Sequence, residues 1–272
     1  MVLMPPPAIM GPGSGSVAQD SELRALERQA RLGDVDAEAR LINLRIRSGI
    51  LSRVGVRVAA LLGSPGAGLA LGVATVPDEP EYALSDPRSK VPAGSQVDYV
   101  PEWIKEVVRV GGRPVAVMIA FAAVDAVLPL VGGAPTKARI RRLLGLIGDW
   151  LRGKANEDRL EIYLPTGTFV LDSIERLSQS IRADADGTPE RHFRFLDFDL
   201  LVATSYAGRT VLEKGFALTC WRAMHGAEHS LADATRKQRK RVKLDDLGLE
   251  AEVKRQLIQI GLNPDAKEMF DR

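Results

Sequence analysis

The sequence predicts an all-α protein of roughly ten helices arranged as stacked antiparallel hairpins. Three observations carry this expectation. Apolar residues recur at helical spacing along most of the chain, Ser, Asp or Pro opens these runs, and Gly closes them. No two alternating runs flank a hairpin turn, so a strand would have no partner. No strict repeat period is visible, so no named solenoid class applies.

The elements follow in order. Residues 21–31 carry Leu23, Leu26 and Ala30 on one face, with Asp20 or Ser21 as cap. Gly33-Asp34 stops this helix and caps the next, 35–47, whose Ala37, Leu41, Ile42 and Leu44 share one side. So tight a turn forces the two to pack antiparallel. Ser48-Gly49 ends the second helix, with Gly supplying the left-handed conformation. A third starts after Ser52 and closes at Gly63, and Ser64-Pro65 opens a short fourth. Residues 73–99, with Pro77, Pro80, Pro87 and Pro92, read as a long loop or linker.

Helices resume at 101–110, where Pro101 is expected at N1 and Trp103, Val107 and Val110 are expected inside. Gly111-Gly112 separates this run from the apolar helix 113–128. Residues 136–152 are amphipathic through Ile140, Leu143, Leu144, Ile147 and Leu151, flanked by Arg139, Arg141, Arg142 and Arg152. Shorter helices are expected at 156–164 and 169–183. The run 192–202 alternates Phe193 and Phe195 like a strand, but the Thr188-Pro189-Glu190 start signal favours helix. A long helix over 216–243 follows, then a last one capped by Asp245 or Asp246, carrying Val253, Leu257 and Ile260 and ended by Gly261. The expected organisation is a disordered tail at 1–19, an N-terminal hairpin module at 20–72, the linker at 73–99 and a main helical domain at 100–272.

Composition bounds the function. The chain has 272 residues, 37 Lys+Arg against 35 Asp+Glu, and 45% hydrophobic residues, as soluble globular proteins do. Its one cysteine, Cys220, excludes an internal disulfide and a Cys-rich zinc site, and suits a reducing cytosol. The first residues, rich in Pro and without a basic lead, read as no secretory signal. The apolar run 115–131 reaches spanning length, but Asp125 inside it favours a buried core helix over a membrane span. Asp125 is expected to pair with an Arg of residues 136–152.

Two stretches carry a resemblance. One is LRALERQARLGDVDAEARLINLRIRSGIL (23–51) followed by RVAALLGSPGAGLALG (57–72). It resembles a Leu-Glu-Arg…Gly-Asp…Arg-Leu hairpin module of uncharacterised bacterial all-helical proteins. The other is AFAAVDAVLPL with RRLLGLIGDWLRG (within 120–153), which is similar to the central helices of that group and of immunity proteins of bacterial toxin systems. The resemblance implies an all-α fold and a partner-binding role, and carries over no catalytic residue. The second half departs from it through Phe193, Phe195 and Phe198 and a basic run.

Two motifs bear chemistry. His225-Gly226-Ala227-Glu228-His229 has the H-x-x-E-H order of inverted zinc peptidases: two His one turn apart could share a zinc ion and Glu228 could take a proton from a bound water. Such a site needs a third ligand, Glu250 or Glu252. The simpler reading is a polar helix face with one His packed against Trp221. The second motif is Arg236, Lys237, Arg239, Lys240, Arg241 and Lys243, a run uninterrupted by acids that could neutralise phosphates or meet an acidic partner. Without aromatics it also reads as a solvated helix end. Gly63–Gly68 lacks the lysine of a phosphate loop, and Cys220 sits in apolar surroundings that make a thiol inert. No cofactor is implied. The expectation is a non-enzymatic cytosolic module that binds a protein partner, with nucleic acid binding and zinc hydrolysis as alternatives.

Overall fold

The computed structural model describes residues 14–76, 100–130, 134–155, 190–212, 214–238 and 248–271. Among these the chain is all-α, with ten α-helices and no strand. The helices expected at 156–164 and 169–183, most of the linker and the caps Asp245 and Asp246 lie outside the described residues.

The N-terminal helices are α1 (Ser14–Arg31), α2 (Val35–Arg47), α3 (Arg53–Leu61) and α4 (Pro65–Leu71). Helix α1 begins seven residues earlier than the sequence suggests, so Asp20 and Ser21 lie inside it and part of the expected tail is helical. The next three starts are capped as expected. Asp34, Ser52 and Ser64 accept from the backbone N–H of Ala37, Gly55 and Ala67, each satisfying one of the donors a helix start leaves free. Gly33, Gly49, Gly63 and Gly72 adopt positive φ just past the helix ends.

Helix α5 (Glu102–Val127) is the centre of the fold. Pro101 stands at its N-cap, one position before the expected N1. The helix is broken at Gly112, whose φ of 64° and ψ of −154° are not helical. The break precedes Pro114, which has no N–H to donate and would crowd the carbonyl four residues back in an unbroken helix. The break falls where the sequence separates the two helices, at Gly111-Gly112. Beyond the break Val115–Ala120, Ala122–Val124 and Val127 are buried. Of the described helices this one alone has the length and hydropathy to cross a membrane, and it lies mostly inside the protein.

Around α5 pack α3, α6 (Ala134–Leu151), α7 (Glu190–Leu212), α8 (Phe216–Gln238), α9 (Gly248–Gly261) and α10 (Lys267–Phe270). Residues 192–202 are thus helical, part of α7. Helices α7 and α8 approach closely because small residues meet: a Cβ at Gly226 would lie 3.1 Å from the Ala203 Cβ. Hydroxyls buried on these helices are satisfied within their own turn, Thr204 donating to the Leu200 carbonyl and Ser230 to that of Gly226.

The N-terminal helices and the helices from residue 100 share apolar contacts. Val58, Leu61 and Leu62 of the α3 segment belong to the same apolar core as Ile119, Ile147, Leu200 and Leu257. The C-terminal segment returns to the N-terminal one: Ser52 Oγ donates to Asp271 at 2.6 Å, and Lys267 Nζ to the Gly49 carbonyl at 2.8 Å. The N-terminal helices also hold two small cores of their own, Ile42, Leu51, Val56, Ala59, Ala60 and Ala67 across α2–α4, and Leu26, Ala37 and Leu41 at the α1–α2 tip, where an Arg45–Glu27 ion pair at 2.9 Å ties the helices.

Candidate functional site

The His225–His229 motif sits on α8, where one-turn spacing brings both rings together. Their centroids are 4.6 Å apart, edge to face, and the Trp221 ring lies 5.4 Å from that of His225. His225 Nδ1 is buried and finds no hydrogen-bond partner among the described residues. The middle of the motif is packing material, since Gly226 meets Ala203 and Ala227 is fully buried. This explains the residue types at 226 and 227 without any chemistry.

Among the described residues no third metal ligand joins the pair, and no group of three or more His, Cys, Asp or Glu side chains is placed to hold a metal ion. Both carboxylates expected to complete the set are engaged elsewhere. Glu250 pairs with Lys254 at 2.8 Å, and Glu252 with Arg255 at 2.6 Å while accepting from Gln256 at 2.6 Å. Cys220 is fully buried and its thiol is pushed far up by that burial, which keeps it protonated and inert.

The cluster does have an electrostatic character. Burial, then the charge of Glu250, raises the Glu228 carboxyl above its ordinary value of 4.5, against a smaller opposing pull from His229. Burial, then His229, lowers His225 below 6.5. The two act oppositely on stability. For Glu228 the unfolded chain releases its proton first, so its contribution is present below pH 4.5 and lost as pH rises through the raised folded value. For His225 the contribution is present above pH 6.5 and lost as pH falls through the lowered folded value. Glu228→Gln is therefore expected to raise the melting temperature at pH 8 and leave it nearly unchanged at pH 4. A melting temperature equally shifted at both would remove the carboxylate as the cause.

Of the basic run, Arg236 and Lys237 lie on the last turn of α8, and Arg239, Lys240, Arg241 and Lys243 fall outside the described residues.

Two further features belong to no sequence motif. The exposed large apolar side chains of the described residues are Leu32, Val35, Leu44, Ile50 and Leu69, all in α1–α4 and their turns. Residues 39–72 around three of them carry five arginines and no lysine, aspartate or glutamate. The second feature is a groove between the end of α5 and α6, lined by Phe121 and Leu144 with Lys137, Arg141 and Arg152. Asp125 lines it too, and the ion pair expected for Asp125 is not formed: it is exposed, with no salt bridge among the described residues. Position 125 faces out of the otherwise apolar helix. No family model, curated protein or solved structure matches the chain.

Proposed function

We propose that this protein is a non-enzymatic helical module that binds another protein through α1–α4. The observation that carries the reading is the confinement of exposed large apolar side chains to residues 32–69, while none is exposed on the described parts of residues 100–271. Scattered surface leucines need no explanation, but their concentration on one module does. The arginines around them fit the same role, because Arg is enriched and Lys depleted at protein interfaces. Arg40, Arg47, Arg53 and Arg57 select a partner surface that is acidic as well as apolar.

The resemblance of residues 23–72 and 120–153 to immunity proteins supports a specific version, in which the module sequesters a toxin in the cytosol. A toxin gene beside its own gene is the expected neighbour. Capture from the native host at physiological salt is expected to recover one stoichiometric protein with an acidic contact surface. The Leu44→Asp/Ile50→Asp double variant is expected to lose at least tenfold of that capture, since interface centres tolerate no unpaired charge. Recovery of no protein, or equal recovery by the double variant, would overturn the reading.

A further inference from the structure

The groove between α5 and α6 combines three properties. Its floor is apolar, with Leu128 and Leu144 buried and Phe121 half-buried. Its rim is cationic. Lys137 donates to the Pro129 carbonyl at 3.4 Å and Arg152 pairs with Asp149 at 2.8 Å, whereas Arg141 is exposed and has no hydrogen bond or ion pair among the described residues. Asp125 lines the same groove and leaves Arg141 unpaired.

The third property is open space at a cost. Gly145 lies in the middle of α6, where Gly is about 1 kcal/mol worse than Ala. A Cβ there would meet nothing within 4 Å, so no neighbour in the fold requires the glycine. The placement of charge is also unfavourable for the helix alone. Lys137 stands in its first turn, which holds no acid, where the dipole of a helix start disfavours positive charge. An anion in the groove would offset both.

We infer that this groove binds an amphipathic organic anion. Its carboxylate or phosphate-ester head would meet Arg141 and Lys137, and its apolar body would lie over Gly145 and Gly148 against Phe121 and Leu144. The volume, about 430 Å³, lies in the range of small-molecule sites. This inference is independent of the partner surface on α1–α4.

Laurate and dodecyl phosphate, titrated calorimetrically into the full chain below their micelle concentrations, test it. Saturable binding of at least one of them at one site per chain is expected, with the tighter of the two assigning the head group. Arg141→Ala should weaken it by about tenfold or more, as loss of a charge-assisted hydrogen bond does. Gly145→Leu should block the groove to a similar extent while melting no lower than the wild type. Inorganic phosphate alone should bind at least about tenfold more weakly than dodecyl phosphate, because it leaves the apolar floor unused. The inference fails if neither anion saturates, or if both variants bind like the wild type. It fails also if dodecyltrimethylammonium binds as well as the anions, or if Gly145→Leu changes the sedimentation mass, which would place a second copy in the groove.

Discussion

Gly261→Val is expected to be among the most damaging single substitutions in the chain. A Cβ at Gly261 would land against the Gly55 carbonyl oxygen, and one at Gly55 would lie 2.9 Å from the Gly261 carbonyl oxygen and 2.9 Å from the Phe270 ring. The obstacle is largely backbone, which cannot rotate away as a side chain can. Overpacking costs typically about 1–3 kcal/mol and more where nothing yields, so a loss of about 3 kcal/mol or more is expected here. For a chain of this size that lowers the melting temperature by roughly 10 °C. Gly145→Ala is the control, a helical glycine with open space, and should gain up to about 1 kcal/mol. Equal effects of the two, measured by thermal unfolding, would show that α3 and α9 do not meet through their glycines.

Ile119→Ala should cost about 2–5 kcal/mol, the usual range for emptying a fully buried site of that size. Ile119 is wholly inaccessible on α5 and belongs to the core that includes residues of α3, α6, α7, α8 and α9. Because one core spans both ends of the chain, the variant is expected to shift a single transition. The three tryptophans, Trp103, Trp150 and Trp221, lie on α5, α6 and α8, so their fluorescence reports the core from residue 100 onward. Helical ellipticity reports α1–α4 as well. The urea midpoints from the two signals should fall together. A helical signal that keeps the wild-type midpoint while fluorescence shifts would show two independent domains.

Much of the candidate chemistry was visible as residue types and little of it as geometry. The His225–His229 spacing follows from the helical period alone, and so does the contact of their rings. Whether a third ligand arrives depends on where α9 sits and which cations stand beside Glu250 and Glu252. Those partners, Lys254 and Arg255, are local on α9 and could have been read from i, i+3 and i, i+4 spacing. The open groove had a faint trace in the sequence: two glycines, Gly145 and Gly148, interrupting an otherwise strong amphipathic helix with cations gathered in its first half.

The sequence by itself determined where most helices begin and end. Asp34, Ser52 and Ser64, with Gly33, Gly49, Gly63 and Gly72, act within about four residues of themselves, through hydrogen bonds and allowed φ values that need no distant partner. The all-α class follows from those local signals together with the apolar period. Tertiary structure alone decided what each glycine and charge is for. Gly261 reads as a stop signal, yet it has no positive φ and instead lets α9 touch α3. Asp125 reads as a buried ion pair, yet faces solvent. The Ser52–Asp271 hydrogen bond joins residues 219 positions apart and ties the end of the chain to the start of α3. Such contacts depend on the complementary shapes of whole helix faces, and a periodic pattern records which face is apolar but not which other face it meets.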